Sequence, residues 1–387
     1  MIWVLIFIFT FYAILIISLT IGFKKVDEFN EISKKNSTSF SVVIPFRNEA
    51  KNLPNLLASI SKINYSNQLL EFILVDDASS DNSVEIINNF LSAIPNKISK
   101  HKNKSKTLCL DGKNIRIIKN KRISNSPKKD AITTAISIAK NNWIVTTDAD
   151  CILPINWLKS LDNFIQDKKP NIVVAPVNYK VENNFLAQFQ LLDFMSMQGC
   201  TIGGFGVDFP FLCNGANFAY LKEEFLNLNG FEGNNTIASG DDIFLFEKFI
   251  KKDKKSVHYL KSKEAIVTTL PVKSWIDLIN QRTRWAAKTS NFSSLKVKLI
   301  GLLILTTNFF VIYFLCAESI ELFWIPFVIK IIVDLFLFLP TIKFFDHKFS
   351  FYKWYIFASL FYPFFNILII CNSLFFKYNW KGRYFKK

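Results

Sequence analysis

The chain has 387 residues, half of them hydrophobic, with 41 phenylalanines and a formal charge of +16. That composition is too apolar for a wholly soluble protein and points to membrane segments, and the length allows one large domain or two small ones. The charge would also suit a nucleic-acid binder. Part of it lies beside apolar spans, however, where basic residues mark the cytoplasmic side of a bilayer, so nucleic acid is not the expected partner.

Residues Ile2–Phe23 are uncharged and long enough to span a membrane. They lack a basic start and a small-residue cleavage site, so they do not read as a removable signal. Lys24 and Lys25 follow directly, which predicts an outside N-terminus and a cytoplasmic next domain. The six cysteines fit that compartment. None forms a CxxC pair, so neither a zinc site nor a disulfide framework is expected. His101, His258 and His347 have no plausible partners nearby in sequence, which argues against a His-based nucleophilic triad.

From residue 40 to about 290 strand and helix patterns alternate. Apolar runs at Ser41–Ile44, Phe72–Val75, Ile115–Ile118, Trp143–Val145 and Ile172–Ala175 predict strands. Between them Leu53, Leu56, Leu57 and Ile60 share one helical face, as do Ala131, Ala135 and Ile138. Alternation of this kind predicts an α/β domain with a mostly parallel sheet and flanking helices. The stretch Asn96–Arg122 is rich in Lys and Arg, with Asp111 its one acid. Its start reads as a solvated loop and its end as a return to the sheet.

Three further apolar spans follow, Leu299–Cys316, Leu322–Leu339 and Trp354–Phe376, within a membrane region over 299–376. Lys330 and Asp334 stand at i,i+4 in the second and are placed to neutralise each other. Three crossings from the cytoplasm would put the basic tail Lys377–Lys387 outside, against the positive-inside tendency.

In an open α/β sheet ligands bind beyond the carboxyl ends of the strands, and the polar clusters fall there. Ser41–Ile44 runs into Pro45, Arg47, Asn48 and Glu49; Phe72–Val75 into Asp76 and Asp77; Trp143–Thr147 into Asp148 and Asp150. Each alone is a common turn. Together they make a carboxylate-rich rim that repels phosphate unless a cation is present, and a divalent ion such as Mg²⁺ or Mn²⁺ resolves the conflict. Asp148 and Asp150 stand two apart in an extended segment and so point to the same side.

The ordered set Val42-Val43-Ile44-Pro45-Phe46-Arg47-Asn48-Glu49, Val75-Asp76-Asp77-Ala78-Ser79-Ser80-Asp81, Asp148-Ala149-Asp150, Gly240-Asp241-Asp242 and Gln281-Arg282-Thr283-Arg284-Trp285 resembles the motifs of family 2 glycosyltransferases. These are inverting enzymes of GT-A fold, and the last segment is similar to the QxxRW motif of their membrane-bound branch. The resemblance implies a nucleotide-sugar donor, with a UDP-sugar the family expectation, and a lipid or glycan acceptor. It implies donor-binding roles for Pro45, Arg47, Glu49, Asp76, Asp77, Lys128, Asp148 and Gln281, with Glu49 and Asp77 on the nucleoside. Pro127 stands where the family usually has a glycine before that lysine. It implies that Asp148 and Asp150 hold the metal ion, and catalytic roles fall to Asp241, Asp242, Arg284 and Trp285.

Asp242 is the expected general base. It precedes an apolar helix, whose N-terminus favours the ionised carboxylate, and such a carboxylate can take the proton of an attacking hydroxyl. No second carboxyl is needed for a diphosphate leaving group when a metal stabilises its charge. Arg284 would counter the diphosphate and Trp285 would stack on a sugar. The same segment also reads as an interfacial amphipathic helix through Trp275, Leu278, Ile279 and Trp285. Asn214-Gly215-Ala216-Asn217 reads as a turn, in a region that lines the acceptor site in the family.

The expected organisation is a membrane helix over 1–23, a GT-A domain over 40–290, the membrane region over 299–376 and the tail. The expected activity is sugar transfer to a lipid or lipid-linked acceptor on the cytoplasmic side of the cell membrane. A processive polysaccharide synthase is the first alternative, and a non-catalytic nucleotide-binding membrane scaffold is one of another class.

Overall fold

The computed structural model describes residues 2–92, 107–110, 113–180, 182–235, 237, 239–288, 291–317, 320–347, 350–376, 378–380 and 383–385. Residues 96–106 of the basic stretch and much of the basic tail lie outside them.

The strands are β1 Phe40–Phe46, β2 Leu70–Asp76, β3 Thr107–Leu110, β4 Lys113–Lys119, β5 Trp143–Thr146, β6 Ile172–Val174, β7 Val177–Tyr179, β8 Phe218–Leu221, β9 Val257–Tyr259, β10 Val267–Thr269, β11 Tyr378–Trp380 and β12 Arg383–Phe385. The α-helices are α1 Ile2–Lys25, α2 Leu53–Lys62, α3 Ser83–Ser92, α4 Pro127–Ile138, α5 Trp157–Lys168, α6 Phe185–Gly206, α7 Lys222–Asn227, α8 Ile243–Asp253, α9 Trp275–Ala286, α10 Leu295–Ala317, α11 Ile320–Phe344 and α12 Ser350–Phe375. They divide between two compact units. One is Glu28–Asn178 with Cys213–Leu270; the other is Met1–Asp27, Tyr179–Leu212 and Pro271–Lys387.

The first unit is built on a sheet of order β3-β4-β2-β1-β5-β8-β6-β9. β4, β2, β1 and β5 run parallel, as do β6 and β9, while β8 runs antiparallel between β5 and β6. Strands covered on both faces read as near-continuous apolar runs, and Val42, Val43, Ile44, Phe72, Ile73 and Leu74 are wholly buried. The apolar face of α2 is buried as its periodicity predicts, Leu53, Leu56, Leu57 and Ile60 being inaccessible to solvent. In α4 the pattern is corrected. Ala131 and Ala135 are buried but Ile138, at the helix's last position, is exposed, and Ile132 and Ile136 fill the interior instead.

The second unit is helical. Among the described residues, four of its helices hold segments long and apolar enough to cross a membrane: Trp3–Lys25, Leu295–Leu315, Trp324–Phe344 and Lys353–Phe375. At 1.5 Å per residue each is at least about 30 Å long, the thickness of a bilayer's hydrocarbon core. α1 lies against α6 with glycine at the crossing. A Cβ on Gly203 would meet the carbonyl oxygen of Leu19 at 2.3 Å, and one on Gly206 would meet that of Gly22 at 1.8 Å. Around α9, Phe189, Leu192, Leu278, Ile342, Tyr355 and Phe365 make a core in which the Phe189 ring packs 5.5 Å from Trp275 and 4.9 Å from Phe365.

Candidate active site

Because β1, β2 and β5 are parallel and adjacent, their carboxyl ends open on one edge of the sheet. Arg47 to Glu49, Asp76 and Asp77, and Asp148 and Asp150 therefore share a rim. β8 runs the other way, with Thr146 beside Phe218, so the turn before it returns to the same edge. Thr146 Oγ1 fastens that turn by donating to the Gly215 carbonyl at 2.8 Å.

At the end of β1 the Arg47 guanidinium donates to the carbonyls of Asp77 at 2.6 Å and Ala78 at 2.7 Å. Asn48 and Ala78 both have left-handed backbone, at φ 52° and 57°. That conformation is common for Asn and strained for Ala. The loops over-determine it: Ser79 N–H donates to Asp76 Oδ1 at 2.9 Å and Ser80 N–H to Asn48 Oδ1 at 2.8 Å. Glu49 Oε2 accepts from Asn52 at 2.7 Å. Burial is the largest single influence on the Asp81 carboxyl and raises it, but hydrogen bonds from the Ser83 hydroxyl and from the N–H groups of Ala50 and Ser83 together outweigh burial and hold the carboxyl below its ordinary range.

Asp77 is buried. Its Oδ1 accepts from Asn120 at 2.7 Å and pairs with Arg122 at 3.4 Å, and Arg122 also reaches Asp130 at 3.4 Å. Asn120 and Arg122 come from the end of the basic stretch, where sequence reading assigned no site residue. Pro127, in place of the expected glycine, occupies the start of α4, where its fixed φ suits a helix and its missing N–H costs nothing.

The next two residues reach opposite ways. Lys128 Nζ lies 2.7 Å from Asp148 Oδ1 and 3.0 Å from Asp241 Oδ2. Burial opposes its charge, but the carboxylates of Asp148, Asp241 and Asp242 prevail and raise its pKa above the ordinary lysine value. Lys129, nearly inaccessible, donates to the carbonyls of Asn234 at 2.6 Å and Ile237 at 3.0 Å and lies over the Phe244 ring. Composition does not separate these two lysines; the resemblance pointed to Lys128, and the direction of α4 sends the two side chains apart.

Asp241 and Asp242 stand at the start of α8. Gly240 has φ +81°, and a Cβ there would meet the Phe244 ring at 2.6 Å, so this turn requires glycine. Asp242 caps the helix. Its Oδ1 accepts from Ile243 N–H at 2.7 Å and its Oδ2 from Gly215 N–H at 3.2 Å. Asp241 is more deeply set than Asp242. Beneath them Tyr220 is wholly buried, and burial, then the charge of Asp241, raise its phenol above the ordinary range and keep it neutral. In the turn, Asn214 accepts from Ala216 N–H at 3.0 Å. Asn217 is structural: it accepts from the Trp157 indole and donates to the carbonyls of Pro176 and Ala265.

Asp148 and Asp150 are both partly exposed at the rim. The Cys151 thiol between Asp150 and the interior is raised well above its ordinary value by burial and then by Asp150 and Asp148, so it stays protonated. Among the described residues no three His, Cys, Asp or Glu side chains gather as a closed metal cluster. Mg²⁺ and Mn²⁺ bound with a nucleotide take one or two carboxylates and complete their shell with phosphate and water. The partly exposed Asp148 and Asp150 fit that kind of ion.

Gln281, Arg284 and Trp285 lie on α9 in the helical unit. Arg282 is buried, with Nε 2.5 Å from Asp193 Oδ2 and its guanidinium carbon 4.2 Å from the Trp285 ring centre. Burial opposes its charge, but Asp193 and Tyr179 prevail and raise it.

Residues 41–227 match the family described as Glycosyl transferase family 2. Glycosyltransferase GlyG of Streptococcus pneumoniae serotype 4 is 30% identical over 139 residues, 36% of this chain and 39% of that protein. The match thus spans well under half of that relative. Among solved structures, the mannosyltransferase PcManGT from Pyrobaculum calidifontis, in complex with GDP-Man and Mn²⁺, aligns with TM-score 0.54 and 15% identity over 94% of this chain and 99% of its own. S. aureus TarS 1-349 in complex with UDP aligns with TM-score 0.42 and 14% identity over 90% and 96%. At such identities the first likeness is one of fold, and the second is too distant to argue from.

Proposed function

Residues 41–227 being a family 2 glycosyltransferase domain of GT-A fold, we propose that the protein is a membrane-bound inverting glycosyltransferase that moves a sugar from a nucleotide-sugar to a hydroxyl of a lipid or lipid-linked acceptor. The observation that carries this reading is the convergence of Lys128, Asp148, Asp241 and Asp242 at the carboxyl edge of the sheet, with the Gly215 turn seated against the last two.

In this reading the loops after β1 and β2 take the nucleoside. Asp77, fixed by Asn120 and Arg122, and Glu49 offer carboxylate acceptors to base N–H or ribose hydroxyls. Asp148 and Asp150 would hold the divalent ion, which when bound neutralises the diphosphate and stabilises its departure. Lys128 leaves Asp148 for the diphosphate as the donor arrives. Asp242 takes the proton of the acceptor hydroxyl, and attack from the face opposite the diphosphate inverts the anomeric carbon. The amides of Ile243 and Gly215 favour its ionised form before the reaction. Arg284 and Trp285 supply charge and stacking, as the motif implies. Lys24 and Lys25 at the end of α1 favour a cytoplasmic catalytic domain.

The test is to give membranes holding the protein a panel of labelled nucleotide-sugars and to separate lipid extract, polymer and free sugar. GDP-mannose belongs in the panel with the UDP-sugars, since the mannosyltransferase neighbour is in complex with it. Label in the lipid extract is expected. Label only in long polymer would make the protein a processive synthase, and donor binding with no product would end the enzymatic reading.

A further inference from the structure

Three crossings after the α/β unit would carry the basic tail to the far side of the membrane, against the charge rule. The packing inside the helical unit points to a different course. The chain enters the α/β unit just after α1 and leaves it just before α9. The end of α1 and the start of α9 therefore mark one side of the bilayer, here called the catalytic side. α11 runs in the same direction as α1. Phe9 packs with Phe327, Tyr12 donates to Asp334 farther along, and the Phe23 ring lies 6.4 Å from that of Phe344 at the last turns. α10 leads away from the catalytic side, with Val311 beside Phe9 and Phe327, and α11 returns to it.

α12 begins at Ser350, a short turn after Phe344, and so on the catalytic side. Its second half keeps company with α9. The Trp275 ring lies 5.4 Å from that of Phe361, and Leu278 shares a buried cluster with Phe365 and Ile369. β11, just beyond α12, lies against α9 as well. With 12 residues α9 is about 18 Å long, too short to reach the far side. With 26 residues α12 is about 39 Å long, against roughly 30 Å of hydrocarbon. Upright, it would put β11 across the membrane from α9.

α12 is nonetheless immersed. Tyr355 donates to the Ile331 carbonyl, in the middle of α11, at 2.9 Å. Phe357, Leu360, Phe364 and Leu368 form an exposed apolar stripe at helical spacing. Pro363 inside the helix permits a bend between its two halves.

Charge agrees independently. Lys24 and Lys25 end α1, Lys296 and Lys298 open α10, Lys343 ends α11 and Lys353 opens α12, all at the catalytic side. Between Lys298 and Lys330 the sequence has no Lys or Arg, and the α10–α11 connection carries Glu318. The tail holds Lys377, Lys381, Arg383, Lys386 and Lys387 and no acid. Basic residues beside membrane spans collect on one side, which places the tail with the other lysines.

We propose that α12 does not cross the bilayer but lies within its catalytic-side leaflet, the apolar stripe against the acyl chains of that leaflet alone, with the tail on the catalytic side. The crossings are then α1, α10 and α11. The proposal rests on packing and charge and does not depend on sugar transfer.

The test places single added cysteines in the full chain, reconstituted in sealed vesicles of known orientation, and treats them with a membrane-impermeant maleimide. The variants are Lys62→Cys on exposed α2 surface, Glu318→Cys between α10 and α11, Asp346→Cys between α11 and α12, and Lys386→Cys in the tail. Mass spectrometry of the labelled peptides separates these from the native cysteines, and opened vesicles show that each is reachable. Lys62→Cys, Asp346→Cys and Lys386→Cys should label from one side only and Glu318→Cys from the other only. Leu368→Cys, on the stripe, should stay unlabelled from both sides. Label at Lys386→Cys from the Glu318 side would overturn the proposal. Label at Asp346→Cys from that side would also overturn it, making α12 a crossing in place of α11. Ready labelling of Leu368→Cys would put the stripe in water and overturn it as well. Label at Lys62→Cys, Asp346→Cys and Lys386→Cys together from outside intact cells would sustain the proposal and refute the cytoplasmic placement of the catalytic domain.

Discussion

Lys128 and Asp148 form an ion pair, Nζ to Oδ1 2.7 Å, at the position where the proposed mechanism requires a metal-bound diphosphate. The ammonium thus occupies a carboxylate that a divalent ion would use, and the two cations compete for it. Lys128→Met should let Mn²⁺ bind more tightly without donor, by several-fold in a titration followed by electron paramagnetic resonance. It should weaken donor binding in the presence of Mn²⁺, because the diphosphate loses a cation. Unchanged Mn²⁺ affinity in Lys128→Met would remove Asp148 from the metal site.

Excess chelator should abolish transfer, with Mg²⁺ or Mn²⁺ restoring it. Asp148→Ala or Asp150→Ala should do the same without rescue. Full turnover in chelator would show that Lys128 alone handles the diphosphate.

Asp242→Asn should lower transfer by roughly two to four orders of magnitude, the range for a positioned base, and should leave donor binding intact. The near-identity of the two side chains predicts an unchanged fold, but the contacts modify that. Both carboxylate oxygens of Asp242 accept backbone N–H groups, from Ile243 and from Gly215, and an amide can replace only one of them. A stability loss of about 1 kcal/mol should therefore accompany the kinetic loss. Near-normal transfer by the variant would move the base elsewhere.

The two arginines of the Gln281–Trp285 segment should separate cleanly. Arg282→Ala strands Asp193 as a buried, unpaired charge, and breaking such a pair costs about 3–5 kcal/mol. A thermal melt in detergent should record it as a large drop. Arg284→Ala should lose transfer. The reverse pattern, with Arg282→Ala stable and inactive, would give the catalytic role to the other arginine.

Gly203→Val should loosen the helical unit. Its Cβ would press on the Leu19 backbone, which cannot rotate away as a side chain would. Overpacking of this kind costs roughly 1–3 kcal/mol, measurable as a lower Tm and faster proteolysis. An unchanged melt would mean that α1 and α6 sit farther apart.

The sheet and its rim were legible because period and punctuation agree. Val42 to Ile44 and Phe72 to Val75 are buried strands, and the polar residues that follow are at the parallel strand ends. What sequence hid depends on direction and on distant partners. Phe218–Leu221 is short, and nothing local says that it runs antiparallel and swings Gly215 back to Asp242. Lys128 and Lys129 are identical in composition and opposite in office. Arg282, beside the motif residues, draws its importance from Asp193, 89 positions earlier. Ile138 looked interior by spacing and is exposed, since periodicity does not say where a helix stops having a neighbour.

The adjacency of Lys128 and Lys129 has a mechanical result. The strand end that carries Asp148 and the segment that leads into Asp241 both hang from the same half-turn of backbone, one by an ammonium on a carboxylate, the other by an ammonium on two carbonyls. In the proposed mechanism a donor that draws the Lys128 ammonium from Asp148 releases that strand end, while Lys129 keeps its hold on the carbonyls of Asn234 and Ile237.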